Sequence, residues 1–330
     1  MTMKLEIVIL AAGQGTRMKS RLPKVLHPVA GKPLLEHVVN TAEGLSPSAI
    51  HVVIGHGAEA VESALAGHAL HWVIQEEQLG TGHAVMQVLP AIAEDSVVLV
   101  LYGDVPLTGL ATLQALVEQA GEAPALLTAT LEDPAGYGRI LRDDSGALVG
   151  VVEDRDADAA QRAIAEINTG VLAAPARDLL EFLPRVGNAN QQGEYYLPDI
   201  LGLAVAEGRS IRSCEASSEL EILGVNDRVQ LNRVEREYQR RLVEQLMREG
   251  VSVADASRVD IRGQLNCGED VTIDINVLFE GEVTLGDGVS VGANCVIRDA
   301  VVEAGTTIHP MSHVQEAHIG VGCDVGPFAR

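Results

Sequence analysis

The stretch best equipped for chemistry lies near the start of the chain: Ala11-Ala12-Gly13-Gln14-Gly15-Thr16-Arg17, then Pro23-Lys24 and Gly31-Lys32-Pro33. Five cations fall here, Arg17, Lys19, Arg21, Lys24 and Lys32, and no Asp or Glu occurs from Ile7 to Leu35. In a chain of formal net charge −22 this is a local cationic island. Glycines at the end of a strand let backbone N–H groups come close to a ligand. The island therefore reads as a place for a small polyanion, most simply a phosphate chain; the competing reading is a tight strand-to-helix turn. It is not a Walker A loop, because no Gly-Lys-Ser/Thr follows, nor the dinucleotide fingerprint, because Met18 stands where the third glycine belongs.

Further motifs carry polar chemistry. Gln75-Glu76-Glu77-Gln78-Leu79-Gly80-Thr81-Gly82-His83 opens a helix. Its free N–H groups, with the donor and acceptor of the Gln75 amide, suit the edge of a uracil or serve as an ordinary helix cap. In Leu101-Tyr102-Gly103-Asp104-Val105-Pro106 an apolar strand ends abruptly in a carboxylate. Asp104 is either a turn former or a ligand for magnesium, which prefers hard oxygens and takes one or two of them from protein. Gly136-Tyr137-Gly138-Arg139-Ile140 reads as a glycine-flanked loop, Glu153 ends the next strand, and Asn168-Thr169-Gly170 follows a strand edge at Glu166-Ile167. These are residue types for sugar hydroxyls and an N-acetyl group, or for turns. In Gly224-Val225-Asn226-Asp227-Arg228, Asn226 or Asp227 caps the helix that follows.

Leu-Ala-Ala-Gly-x-Gly-Thr-Arg-Met at 10–18, with Pro-Lys-Val-Leu-His at 23–27 and Gly-Lys-Pro at 31–33, resembles the signature loop of sugar-1-phosphate nucleotidyltransferases. The resemblance is strongest to the bacterial bifunctional N-acetylglucosamine-1-phosphate uridyltransferase/glucosamine-1-phosphate acetyltransferase family, and it recurs along nearly the whole chain. It implies a Rossmann-like (GT-A-like) α/β nucleotidyltransferase domain with a mostly parallel sheet, then a linking α-helix and a left-handed parallel β-helix. It implies Arg17 and Lys24 as catalytic cations, and Leu10, Ala11, Ala12, Gly13, Gln75, Gly80 and Thr81 as nucleotide-binding. It implies Tyr102, Gly103, Gly138, Glu153 and Asn168 as sugar-binding, with Asp104 and Asn226 holding magnesium (Mg2+). Gln192 to Ile200 also matches the family, with Pro198 where the family pattern has a threonine; Tyr195 and Tyr196 either line the sugar pocket or pack. The substrates implied are UTP and N-acetylglucosamine 1-phosphate. A different sugar 1-phosphate, or a non-catalytic scaffold, are the alternatives.

These residues must be placed by regular elements. Strand-like runs at 6–10, 51–54, 71–74, 97–102, 126–131, 149–152 and 210–213 alternate with helix-period stretches near 33–44, 58–66, 81–93, 109–120, 158–166 and 197–207. Alternation of this kind predicts a mostly parallel sheet covered on both faces, with ligands beyond the carboxyl ends of the strands. The domain spans 1–226 on this reading. Residues 227–250 form a linking amphipathic helix with an apolar stripe of Leu231, Val234, Tyr238, Leu242, Leu246 and Met247, stopped by Gly250.

From 251 the period becomes six. Ile261, Cys267, Ile273, Phe279, Leu285, Val291 and Ile297 form one stripe; Val259, Leu265, Val271, Val277, Val283, Val289 and Cys295 form a second, two residues earlier. After a slip of one residue the pattern runs on through Val302, Ile308, Val314, Ile319 and Val325. Six-residue repeats indicate a parallel β-helix of three short strands per coil. The chain ends in mid-repeat at Arg330, which reads as a truncation that keeps the uridyltransferase half and omits the acetyltransferase site the resemblance places further on.

Bulk properties bound the rest. A length of 330 residues suits two domains, and 47% hydrophobic with 3% aromatic residues means an aliphatic core. Strong acidity argues against nucleic-acid or anionic-membrane binding. Cys214, Cys267, Cys295 and Cys323 are far apart and read as packed thiols. No signal peptide and no membrane-spanning run is read, so a cytoplasmic protein is expected, trimeric through the β-helix as the resemblance implies.

Overall fold

The structure, a computed structural model, describes residues 4–330. Its contacts divide the chain into two units: one takes residues up to His27 and Leu34–Gln230, the other Pro28–Pro33 and Leu231–Arg330.

The first unit is built on a nine-stranded sheet. Lys4–Leu10 lies at its centre, parallel to Ser96–Tyr102 on one side and Ala49–Ile54 on the other, with His71–Ile74 beyond. The apolar runs are continuous because both faces are covered. Along Lys4–Leu10, Ile7 and Ile9 enter one core cluster and Val8 the opposite one; along Ser96–Tyr102, Leu99 and Leu101 part from Val98 and Val100 in the same way. Each fully buried aliphatic side chain contributes roughly 1.5–3 kcal/mol.

The sheet departs from the sequence reading on its other half. Glu166–Pro175 runs antiparallel to both Ser96–Tyr102 and Ala125–Thr130, and carries the antiparallel hairpin Gly138–Arg142 and Leu148–Val152. Gly138–Ile140, read as loop, is therefore strand. The helix expected near 158–166 is a single turn, Ala159–Arg162. Its start signal is genuine: Asp158 Oδ1 accepts from the Gln161 N–H at 2.8 Å while Gln161 Oε1 accepts from the Asp158 N–H at 2.9 Å. From Glu166 on, sheet pairing wins. A helix at Ala176–Phe182 was not expected from the sequence.

The second unit contains the helix Arg228–Arg248 from Leu231 onward and the solenoid behind it. Strands Val259–Cys267, Val277–Leu285 and Val296–Val302 stack in parallel, and a second sheet stacks Ser252–Val253, Thr272–Ile273, Ser290–Val291, Thr307–Ile308 and Asp324–Val325. Ile261 lies on Phe279 and Phe279 on Ile297, one coil of 18 residues apart, with the apolar stripes buried inside. The expected slip appears as a register shift between Glu280 and Val283, after which Val283 pairs with Ala300.

The buried face of the helix follows the expected stripe at Val234 and Leu246, with Leu231, Tyr238 and Leu242 half-buried, and departs from it elsewhere. Val234, Val243 and Leu246 are buried, Met247 is 44% exposed, and the polar Glu237 and Gln239 are buried instead. Each has partners: Glu237 takes Arg240 and Arg241, while the Gln239 amide donates to Ile261 O and accepts from Ile261 N–H, both at 2.8 Å. Pro28–Pro33, a two-stranded hairpin, belongs here too: its Ala30 N–H donates to Glu235 at 2.8 Å. No helix among the described residues is long and apolar enough to cross a membrane.

Candidate functional site

A cleft of about 240 Å³ opens in the first unit at the carboxyl ends of Lys4–Leu10, His71–Ile74 and Ser96–Tyr102. Ten residues singled out from the sequence line it: Leu10, Ala11, Ala12, Gly13, Lys24, Gln75, Gly80, Thr81, Tyr102 and Asp104. Backbone bonds that extend the sheet hold the strand ends in place. Ala11 N–H donates to Val53 O at 2.8 Å, Gly103 N–H to Leu10 O at 3.0 Å and Gln75 N–H to Ile54 O at 2.8 Å.

The two glycines of the first loop do different work. Gly15 has φ +60°, and a Cβ there would lie 2.6 Å from the Cβ of Lys24, so this glycine makes room for the lysine stem. A Cβ on Gly13 would meet nothing within 4 Å; its open side belongs to whatever approaches the loop. Arg17 sits exposed on the turn Thr16–Met18, away from the cleft lining and, among the described residues, without an ion pair.

Lys24 joins residues the sequence assigned to different tasks. Its ammonium donates to Asp104 Oδ2 and, at 3.2 Å, to Asn226 Oδ1, with the Lys24 and Asp104 side chains only 13% and 15% exposed. Asn226 reaches the site because the Val225 N–H donates to the Asp104 carbonyl at 2.9 Å. The helix cap falls to its neighbour: Asp227 Oδ1 accepts from Val229 and Gln230 N–H at 2.9 and 2.8 Å. Among the described residues no cluster of three or more His, Cys, Asp or Glu could hold a metal. A carboxylate and an amide oxygen that already hold one cation nonetheless suit magnesium, which takes its remaining ligands from phosphate and water.

The expected sugar residues also converge, beside the cleft. Asn168 pairs across strands with Gly138, and a Cβ on Gly138 would meet Glu153 Oε1 at 3.2 Å. Asn168 is 6% exposed, and its Oδ1 accepts from the Gly170 N–H at 2.8 Å, so turn chemistry occupies one end of its amide. Burial pushes the Glu153 carboxyl above the usual carboxylate range, and the charges of Asp199, Asp156, Asp154 and Glu194 push it the same way. Tyr102 is held neutral, chiefly by burial and then by the charges of Glu153 and Asp104, while its hydroxyl pairs with Thr81. Gly103 packs against Leu35 and Ala11, where a Cβ would lie 3.0 and 3.3 Å away. Tyr195 packs on the core, and the Tyr196 hydroxyl accepts from Gln192 at 2.8 Å.

Three residues matter here that sequence reasoning missed. Arg139, 2% exposed, ties together the region around Gly138 and Glu153 by donating to Tyr137 O and to Asp154 Oδ1, the latter at 3.1 Å. Gly170, at φ +89°, leaves the space that the Tyr102 ring fills. His83 hydrogen-bonds to Gln75. The Tyr-Gly-Arg and Gly-Thr-Gly-His runs were visible signals, but a buried partner cannot be read from spacing.

Residues 7–180 match the MobA-like NTP transferase domain family. Residues 266–299 match the bacterial transferase hexapeptide family, in keeping with a left-handed β-helix. Among solved structures, a nucleotidyl transferase from Methanothermobacter covers 72% of this chain and 99% of its own at 23% identity and TM-score 0.52. A putative glucose-1-phosphate thymidylyltransferase from Bacillus anthracis covers 70% of this chain and 94% of its own at 18% identity and TM-score 0.56. Both show the fold. Proteins described as bifunctional protein GlmU are far nearer in sequence. The one from Aromatoleum aromaticum is 53% identical over 327 residues, and that from Cupriavidus pinatubonensis 54% over 327, each match covering 99% of this chain and 72% of the relative. The one from Stutzerimonas stutzeri is 53% identical over 329 residues. With an NTP transferase domain in front and hexapeptide repeats behind, the chain belongs to the GlmU family, the bifunctional uridyltransferase family that its motifs resemble.

Proposed function

We propose that the first unit makes UDP-N-acetylglucosamine and pyrophosphate from UTP and N-acetyl-α-D-glucosamine 1-phosphate. The observation that carries this reading is Lys24 held between Asp104 and Asn226 at a cleft lined by the glycine loop.

No protein nucleophile is needed. A phosphate oxygen of the sugar phosphate attacks the α-phosphorus of UTP, the bond to the β-phosphate oxygen breaks, and pyrophosphate leaves in line with the attacker. Such transfers depend on positioning and on neutralising charge. Leu10 to Gly13 present backbone to the nucleotide, with Gln75, Gly80 and Thr81 at the base. Tyr102, Gly103, Gly138, Glu153 and Asn168 form the sugar side, where the raised Glu153 carboxyl faces acetamide and hydroxyl groups. Arg17 and Lys24 neutralise the leaving pyrophosphate and the sugar phosphate. Asp104 and Asn226 would hold Mg2+, which supplies charge neutralisation between the two substrates' phosphates. The β-helix is proposed to assemble three copies.

Pyrophosphate release is the test. Metal-dependent release with N-acetylglucosamine 1-phosphate, abolished by EDTA and much weaker with glucose 1-phosphate or glucosamine 1-phosphate, supports the reading. A preference for glucose 1-phosphate would move the assignment to another sugar, and no release from folded protein would end it. Arg17→Ala is expected to lower kcat by about 100-fold with the fold intact; near-normal turnover would remove Arg17 from the mechanism.

A further inference from the structure

Gln75 is 3% exposed and forms part of the cleft wall, at the end of the strand His71–Ile74. Its amide could present either an oxygen or a nitrogen to a base, and the two ends select different bases. The surroundings decide which. Gly80 O lies 3.3 Å from Gln75 Nε2, and a carbonyl oxygen can only accept, so the nitrogen must face it. The second hydrogen on that nitrogen is aimed at His83 Nδ1, 3.0 Å away. Both donors of the amide are thus taken by the protein. Gln75 Oε1 has no donor among the described residues and is left to the cleft.

The bond fixes the histidine as well. A neutral imidazole has one N–H; with Nδ1 accepting from Gln75, the proton sits on Nε2. Gln87 Nε2 lies 3.1 Å from both His83 Nε2 and the His83 carbonyl oxygen; being exposed, this side chain can give up the bond to that carbonyl, to water, and turn its oxygen toward the Nε2 proton. The buried Gln75 has no such freedom. The loop that carries these groups is itself laced down: Gly82 N–H donates to Tyr195 O and Tyr195 N–H to Leu79 O, each at 2.8 Å, and Leu197 N–H donates to Thr81 Oγ at 3.1 Å.

We propose that His83 is a positioning residue that locks the Gln75 amide with its oxygen toward the nucleotide, so that the cleft accepts a pyrimidine with an N3–H and disfavours one with a bare N3. Uracil offers that hydrogen. Cytosine presents a lone pair there, which would face the Gln75 oxygen with no proton between them, and a buried acceptor left unpaired is costly. Without the His83 acceptor, only the longer 3.3 Å bond to Gly80 O still holds the amide, which then turns over more readily to present its nitrogen to cytosine. The inference rests on the nucleotide reading of the cleft proposed above, and adds what selects the base.

The experiment compares UTP with CTP on the full chain, by kcat/KM with N-acetylglucosamine 1-phosphate and Mg2+ and, independently, by calorimetric binding of each nucleotide. His83→Leu removes the acceptor, and the UTP-over-CTP ratio is expected to fall at least about tenfold. His83→Asn can place an amide oxygen near the Nδ1 position and is expected to recover most of the ratio. His83→Leu that weakens both nucleotides equally, with the ratio unchanged, would reduce His83 to a packing role and overturn the proposal. So would a wild-type protein that binds CTP as well as UTP. Wild-type protein that binds UTP over CTP in a His83-dependent way, yet releases no pyrophosphate with any sugar phosphate, would sink the proposed reaction and leave this inference standing.

Discussion

In the nucleotidyltransferase unit the contacts that matter join residues remote in the chain: Lys24 meets Asp104 and Asn226 across 80 and 202 positions. In the β-helix a residue meets its counterpart one coil away, Ile261 on Phe279, Thr272 on Ser290 and, past the slip, Ser290 on Thr307. The first kind of contact occurs once and has no substitute. The second is repeated, so each buried side chain supports the coils on both sides and its loss is a loss of stability to both. Stability and chemistry are thereby distributed differently along one chain, and substitutions separate them.

The largest stability effect is expected inside the solenoid. Phe279 is 1% exposed between Ile261 and Ile297, and Phe279→Ala should cost about 3–5 kcal/mol in urea unfolding of that unit. Pyrophosphate release by the folded protein should persist. A cost below about 1 kcal/mol would mean that the coils carry no individual load, against the comparison. The largest catalytic effect is expected at Asp104. Asp104→Asn should lower turnover about 10²–10³-fold, the loss typical for one transition-state stabilising group, while leaving the melting temperature near wild type. Near-normal turnover would show that the once-only contact is replaceable.

Smaller effects sharpen the contrast within the glycine loop. Gly15→Ala forces a side chain to φ +60° and against the Lys24 Cβ at 2.6 Å, and should cost about 1–2 kcal/mol. Gly13→Ala meets no neighbour within 4 Å and should leave stability unchanged while raising the KM for UTP. Equal melting temperatures for the two variants would contradict the distinction. The smallest effect is a pH dependence at Glu153. Its folded pKa lies above the ordinary 4.5, first through burial and then through Asp199, Asp156, Asp154 and Glu194. The sign follows: its contribution to stability is full below pH 4.5 and is lost as pH rises through the raised folded value. Glu153→Gln cannot ionise, so it should melt slightly above wild type at pH 7 and level with it near pH 4, while binding the sugar phosphate more weakly. A variant that melts lower than wild type at pH 7 would remove burial strain from the account.

The same contrast governs what was legible beforehand. The six-residue stripes can be read straight off the chain, down to the one-residue slip that the structure shows as a register shift near Glu280. Lys4–Leu10 and Ser96–Tyr102 were equally plain, because strands buried on both faces are apolar throughout. The Glu166–Pro175 strand was half hidden. Asn168-Thr169-Gly170 has turn chemistry, and the Asn168 oxygen indeed caps the Gly170 N–H, but the turn is folded into a strand as a register shift between Asn168 and Leu172. The helix expected near 158–166 failed for the converse reason: its capping box is present, yet the residues after it find sheet partners. Resemblance supplied most of the site. Pairing of Lys24 with Asp104, the tie from Arg139 to Asp154 and the His83 lock on Gln75 could not be read from spacing, since each depends on which buried atoms finally face one another.

The hairpin Pro28–Pro33 has a consequence for how this protein can be divided. It follows directly on the loop that bears Lys24, yet its contacts lie with the second unit, where Ala30 bonds to Glu235 and Gly31 packs on the Arg262 backbone. The chain therefore crosses between the units three times, at His27, Pro33 and Gln230, and only the last crossing is visible as a domain boundary in the sequence. Severing the chain at 230 leaves both pieces covalently complete but not structurally so: the amino-terminal piece keeps a hairpin whose bonding partners have gone with the other. A cut there divides the polypeptide without dividing the fold, and the segment left unsupported is the one that runs straight out of the lysine's loop.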